Sequence, residues 1–311
     1  MLVIGDMHYT SNWIKKLQVE KFVDWLNKQE VLTSAKNIVL LGDLFEIPTP
    51  EAFLVAFYLK LFARDWGDKH IYILEGNHDS NAEEDALDHF MYLDNVTVVK
   101  EATEIQIEGN NCLFLPHYDH EGTYKRPMTE VYSELSGSYD YIFSHVMDET
   151  QSFGKAVCDL SNLQGRKLFG HVHSPNVLKG GNYLGSVIKN SSTEKDDQKL
   201  LANIAGNGLD YVTVPSFLEY ETVEFGNEIT CKDKLVLLTV TEAPTRAEAV
   251  DFYETKNDNV KINKVITKRQ RVLSTEVVTD FSDQDAWETF CKEKNLPDSV
   301  KEICTKVILA S

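Results

Sequence analysis

Three apolar runs in the front part of the chain end in the same way, with a glycine and a polar residue. They are Leu2-Val3-Ile4-Gly5-Asp6, Ile38-Val39-Leu40-Leu41-Gly42-Asp43 and Ile71-Tyr72-Ile73-Leu74-Glu75-Gly76-Asn77. Continuous apolar runs of this length predict strands buried on both faces, not the alternating pattern of a half-exposed sheet. The stretches between them, near Trp13 to Gln29 and Pro50 to Trp66, carry helical spacing and set up a β-α-β rhythm. Later runs repeat the strand with a polar tip: Cys112 to Pro116, Tyr141 to His145 and Lys167 to His171. The pattern implies a layered α/β core. Its polar tips all lie just past the C-terminal ends of strands, where open α/β sheets bind their ligands.

From Gly185 to about Ile204 the chain reads as a polar, exposed loop without evident chemistry, most of all over Asn190 to Lys199. Beyond it, Asp210 to Val214, Glu219 to Glu224 and Leu235 to Val240 have strand character, and Thr245 to Thr255 reads as a helix capped by Thr245. Val260 to Ile266, Val272 to Val278, a helix over Asp283 to Lys294 and a segment over Val300 to Leu309 complete an α+β appendage. The 311 residues exceed what one core comfortably holds, so two domains are expected, residues 1–231 and 232–311.

Composition narrows the setting. No stretch reaches the roughly 18 apolar residues of a membrane span. The start of the chain has neither a basic segment nor a long apolar one. Five scattered cysteines without a CxxC pair argue against a disulfide framework. A cytoplasmic protein is expected. The net charge of -18 speaks against a bare grip on nucleic acid, which favours basic surfaces. Most of the excess acid lies ahead of Cys231. The basic group worth noting is Lys261, Lys264, Lys268, Arg269 and Arg271 in the appendage, which reads either as a DNA-contacting strand pair or as a solvated edge strand.

The candidate chemistry is a set of five pieces: Gly5-Asp6-Met7-His8, Gly42-Asp43, Gly76-Asn77-His78-Asp79, Ser144-His145 and Gly170-His171-Val172-His173. Each alone is weak: a lone Gly-Asp is ordinarily a turn, and the His-X-His piece reads equally as metal-binding or not. Five in this order, each after an apolar strand, point to a site. Cleaving a phosphate ester needs a nucleophile at neutral pH and relief of charge on the phosphoryl oxygens, and two metals about 3.5–4 Å apart supply both. His171 and His173, two residues apart in an extended segment, share a side and can each reach a different metal. The mixture of imidazole, carboxylate and amide oxygen suits manganese (Mn2+), iron (Fe2+) or zinc (Zn2+), with manganese expected. His78 stands beside a ligand and before Asp79, a position suited to meeting the phosphate or protonating the leaving oxygen, with Asp79 orienting it. His117 and His120 are further candidates for substrate contact, while Trp13 and Trp25, at helical spacing, are expected in the core.

Gly-Asp-X-His, Gly-Asp, Gly-Asn-His-Asp, Ser-His and Gly-His-X-His, in this order, resemble the successive motifs of the calcineurin-like metallophosphoesterases over residues 1 to 190. The resemblance implies an α/β/β/α sandwich with a smaller C-terminal α+β capping domain. It also implies that Asp43 bridges two divalent metal ions. Asp6, His8 and His173 would complete the shell of one ion, and Asn77, His145 and His171 that of the other. Within that superfamily the chain looks most like the nuclease subunit of the bacterial SbcCD complex and its tailed-phage counterpart. Leu113-Phe114-Leu115-Pro116-His117 resembles that group's strand ending in Leu-Pro. Gly42-Asp43-Leu44-Phe45-Glu46 matches its second motif except for Glu46, where the group usually has Asp. Tyr183-Leu184-Gly185-Ser186 resembles the strand after its final motif. The first motif departs, since Asp6-Met7-His8-Tyr9-Thr10 lacks the group's glycine. The resemblance thus implies a metal-dependent DNA nuclease in recombination or repair, hydrolysing phosphodiesters by a metal-activated hydroxide. It would be a homodimer partnered by an SbcC-like ATPase and located in the host cytoplasm if phage-encoded. The rival readings are a small-molecule phosphatase or cyclic-nucleotide phosphodiesterase, and a non-catalytic metal-bound scaffold.

Overall fold

Leu2, Val3 and Ile4 are completely buried, and in the computed structural model they form an inner strand of a six-stranded sheet. The structure describes residues 1–81, 83–117, 126–148, 157–177, 182–190, 199–231 and 234–267. In chain order the elements are β1 (Leu2–Ile4), α1 (Trp13–Leu26), α2 (Glu30–Ser34), β2 (Asn37–Leu40), α3 (Ala52–Lys60), β3 (His70–Leu74), β4 (Val96–Val99), β5 (Thr103–Ile107), β6 (Asn110–Leu115), α4 (Met128–Ser133), β7 (Gly137–Ser144), β8 (Met147–Asp148), β9 (Val157–Cys158), β10 (Leu163–Phe169), β11 (Asn176–Val177), β12 (Asn182–Tyr183), β13 (Leu200–Ala205) and β14 (Gly208–Thr213). A second unit holds β15 (Leu218–Glu224), β16 (Leu235–Ala243), α5 (Arg246–Tyr253) and β17 (Val260–Thr267).

The first sheet has the order β14-β13-β1-β2-β3-β4 and the second β11-β12-β10-β7-β6-β5. Strands β1 to β4 run parallel, as do β6, β7, β10 and β12, and antiparallel strands flank both sets. The two-faced burial predicted for the runs has a direct structural basis. Val3, Val39, Leu41 and Leu74 pack between the sheets against Phe114, Phe143 and Leu168. Leu2, Ile4, Ile38, Leu40, Ile71 and Ile73 face the opposite way, against Val19, Phe22 and Leu26 of α1 and Tyr58 of α3. On the outer face of the second sheet, Leu113, Ile142 and Phe169 cluster with Met128 and Tyr132 of α4. The layers therefore stack as α/β/β/α.

Helix α1 starts where Asn12 caps it, its side-chain oxygen accepting from the amides of Ile14 and Lys15 at 3.1 and 3.3 Å. Trp13, expected in the core, is 40% exposed at the first turn, while Trp25 packs half-buried against the core. Another expectation fails at β13. The supposed polar loop ends at Lys199, and Leu200–Ala205 pair antiparallel with β1, with Leu201 and Ala202 fully buried. The polar tract before it, 191–198, lies outside the described residues and hides this short strand in the sequence pattern. No helix among the described residues is long and apolar enough to cross a membrane.

The chain divides into compact units at Leu218/Glu219, ahead of the expected boundary at Cys231. Strand β15 joins β16 and β17 in a separate three-stranded sheet, which draws the residues between the two positions into the second unit. There β16 and β17 pair in parallel with α5 as their crossover. Thr245 caps α5 as expected, its side chain accepting from the Glu248 amide at 3.2 Å. The strand over Val272 to Val278, the helix over Asp283 to Lys294 and the last segment lie outside the described residues.

Candidate metal centre

The loops after β1, β2, β3, β7 and β10 converge, so both sheets contribute. The β1 and β2 loops are sewn together by backbone: the amides of Met7 and His8 donate to the Asp43 carbonyl at 3.0 and 2.9 Å, and Tyr9 bridges to Phe45. Five non-glycine residues among those described have positive φ, and three of them are His8 (48°), Asp43 (50°) and His171 (70°). This conformation is costly for L side chains and concentrates where surrounding structure imposes it for function. Glycines make the convergence sterically feasible. A methyl at Gly76 would collide with the Asp43 amide and carboxylate, and one at Gly42 (φ 97°) with the His145 ring.

All seven expected ligands meet here. Ligand atoms of Asp6, His8 and His173 lie within 4.8 Å of one another, as do those of Asp43, His145 and His171. Asp43 Oδ2 stands between the sets, 3.6 Å from His8 Nε2 and 3.2 Å from His145 Nε2. Asn77 Oδ1 joins the second set at 2.8 Å from His171 Nδ1 and 3.2 Å from His145 Nε2. The Nε2 atoms of His8 and His173 face each other at 2.9 Å. Asp6 Oδ1 accepts from the His171 amide at 3.1 Å, yet Asp6 Oδ2, fully buried, has no hydrogen-bond partner. An unmet buried carboxylate oxygen beside converging imidazole nitrogens is what a cation satisfies, so the donor set fits divalent metal on both sides of Asp43.

Protein groups around the ligands fix their orientation. His145 donates from Nδ1 to the Leu41 carbonyl at 2.6 Å, leaving Nε2 as the ligand nitrogen. Burial opposes charge on His145, but the Asp43 and Asp6 carboxylates outweigh it and hold its pKa at about 10. Asp43 is held well below the usual carboxylate range against its own burial, chiefly by His145. Burial and the neighbouring His145 push His171 down to about 3, which keeps this imidazole neutral and able to coordinate.

The role expected of Asp79 does not hold. Its carboxylate is buried and accepts from the Phe45 and Gly76 amides, both at 3.0 Å, so it ties two motif loops together. His78 is oriented instead by the Glu46 carbonyl, 2.9 Å from its Nδ1, and its backbone amide donates to Asp43 Oδ1 at 2.9 Å. Sequence reasoning noted Glu46 merely as a departure from the motif. Its Oε2 lies 3.3 Å from His8 Nδ1 and 2.7 Å from Lys15 Nζ; burial opposes its charge, but His8 and Lys15 lower its pKa to about 2. Its reach toward His8 was not legible, because nothing in the spacing shows that Lys15 on α1 flanks the same loop. The His117 ring stacks 6.4 Å from that of His171, while His120 lies outside the described residues. In the basic group, Lys261 pairs with Glu254 at 3.1 Å and Lys264 is exposed; Lys268, Arg269 and Arg271 lie outside the described residues.

Residues 1–184 match the calcineurin-like phosphoesterase family. The chain belongs to this family. Comparison with curated proteins gives no match. As a calcineurin-like phosphoesterase the chain is a metal-dependent hydrolase of phosphoesters, and the matched span takes in every ligand residue described above. In this phosphoesterase the match ends at Leu184, one residue short of a segment that lies behind two of the ligands.

Proposed function

We propose that this phosphoesterase is a manganese-dependent DNA nuclease, the nuclease subunit of a recombination or repair complex. The observation that carries the catalytic part is the setting of His78. Its ring lies edge-on to that of His8, 4.9 Å between centroids, and its Nδ1–H is committed to the Glu46 carbonyl. Nε2 has no hydrogen-bond partner among the described residues, which leaves it to hold a proton for the leaving oxygen. The two cations, when bound, supply charge relief and a nucleophile at neutral pH. Asp6, His8 and His173 would hold one and Asn77, His145 and His171 the other, with Asp43 placed to serve both. His78 gives the departing oxygen of the diester its proton, and Glu46 keeps both His78 and His8 in place.

DNA as substrate is supported by the likeness of Gly42 to Glu46, Leu113 to His117 and Tyr183 to Ser186 to the SbcCD nuclease group, and by the α+β unit that comes after the catalytic one. The net charge of -18 requires help in holding a polyanion. We assign that help to an SbcC-like ATPase and to a second copy of the chain in a homodimer, in a cytoplasm that is the host's if the protein is phage-encoded. The same charge favours a second reading, a phosphatase or phosphodiesterase of small substrates.

End-labelled single- and double-stranded DNA incubated with the protein and manganese, with and without co-purified partners, separates the two. Products absent with Asp43→Ala support the nuclease. Cleavage of a plain phosphomonoester or a cyclic nucleotide, with intact DNA in every condition, establishes the second reading. Biological activity that survives both Asp43→Ala and His78→Ala would make the centre a scaffold.

A further inference from the structure

Residues 186–190 lie beyond the family match and look like plain loop in the sequence, yet they lie behind two ligands of one metal site. The Val187 amide and the Ser186 hydroxyl donate to the Asp6 carbonyl at 2.9 and 3.1 Å. The Ser186 amide donates to the His173 carbonyl at 3.1 Å. The Asn190 side-chain nitrogen, Nδ2, lies 3.3 Å from His173 Nδ1.

Two buried polar side chains from elsewhere fix the segment. Gln18 of α1, 1% exposed, accepts from the Lys189 amide at 2.9 Å and donates to its carbonyl at 3.2 Å. Lys199, 2% exposed, donates from Nζ to the Ser186 carbonyl at 2.9 Å and to the Ile188 carbonyl. Burying an ammonium is costly unless its protons are met, so a lysine here makes sense as an internal tie between backbone carbonyls.

We propose that residues 186–190 form a positioning segment for the Asp6–His8–His173 site, with Asn190 setting the tautomer of His173 by accepting the proton on its Nδ1. The inference rests on the family's metal dependence and not on the identity of the substrate. His173 presents Nε2 to His8 Nε2 at 2.9 Å, so Nε2 is the atom that takes a cation. A neutral imidazole that coordinates through Nε2 carries its proton on Nδ1 and needs an acceptor there. The Asn190 carboxamide has its nitrogen toward Nδ1, and a half-turn that leaves its shape unchanged brings the oxygen there instead. With the oxygen toward Nδ1, His173 is held as a ligand; with the nitrogen there, the proton is driven to Nε2 and the ligand atom is blocked. His8 Nδ1 faces the Glu46 carboxylate at 3.3 Å, within ion-pair distance but without a hydrogen bond between them. The two imidazoles of this site thus face two different side chains, Glu46 at the end of the second motif and Asn190 beyond the family match.

The test compares Asn190→Leu and Asn190→Asp with wild type in titration calorimetry with manganese, alongside melting of the metal-free proteins. Wild type taking up two ions is the reference, so a loss confined to a variant concerns Asn190 and not the metal dependence itself. Asn190→Leu should weaken one of the two sites about 10- to 100-fold and leave the other, and the metal-free melting temperature, unchanged. Asn190→Asp, which can only accept from Nδ1–H, should keep both sites at wild-type affinity or better. Wild-type affinity in Asn190→Leu overturns the proposal, as does equal loss in both variants. If Asn190→Leu does not fold, Asn190→Asp decides by itself: retention supports the acceptor role, and loss of one site overturns it.

Discussion

His78 and His8 lie side by side and both lean on Glu46, the one through its carbonyl and the other through its carboxylate. That shared support lets single substitutions separate their roles. His78→Gln should lower kcat by about 10²- to 10⁴-fold, the range for losing a positioned proton donor, while leaving two metal ions bound. Steady-state kinetics and metal analysis check this, and loss of an ion would instead make His78 a ligand. Glu46→Ala should act on the metal side, weakening one site by about 10- to 100-fold because His8 Nδ1 loses its carboxylate, which calorimetry reads directly. The candidate ligand residues were legible in the sequence, because each lies just past an apolar strand end, marked by a glycine at every one but Ser144-His145. The groups that orient them were not: Glu46, Gln18, Asn190 and Lys199 act through contacts that no spacing encodes.

Among the elements, the motif loops are tied directly to one another by hydrogen bonds. Asp79 illustrates this, since it comes directly after His78 in sequence but its two oxygens hold the Phe45 and Gly76 amides, one in each motif loop. Asp79→Ala should therefore destabilise the fold by about 1–3 kcal/mol for each amide left unsatisfied, seen as a lower urea midpoint with an unchanged slope. Unaltered stability would show that water replaces the carboxylate. The elements themselves were readable from pattern where apolar runs were long, as at β2 and β3, and from capping at α5. Pattern failed at β13, where a short strand comes directly after a polar tract and is specified by pairing with β1.

For the whole molecule, the centre joins loops from two sheets, so metal binding and folding are linked. Each cation held at about 100-fold its dissociation constant stabilises by roughly 2.7 kcal/mol, which for a unit of this size is roughly 5–10 °C in melting temperature, and two ions give about twice that. Chelation should produce a fall of that order and abolish hydrolysis, and added manganese should restore both. A melting temperature indifferent to chelator would mean that the loops are held without the ions. On the nuclease reading proposed above, the excess of acid ahead of Cys231 would leave the grip on DNA to the second unit and to partners.

The order of motifs, the apolar runs beneath them and the family they resemble were all present in the chain itself, since buried parallel strands and glycine turns leave local signatures. The tertiary structure decided what has no local signature. It placed Asp43 between two ligand sets drawn from both sheets, assigned Asp79 to backbone in place of His78, and moved the unit boundary to Leu218. It also turned a featureless stretch after Leu184 into the backing of Asp6 and His173. Those outcomes depend on which strand ends meet across the sandwich and which buried polar groups must then find partners, and neither is a property of any one segment.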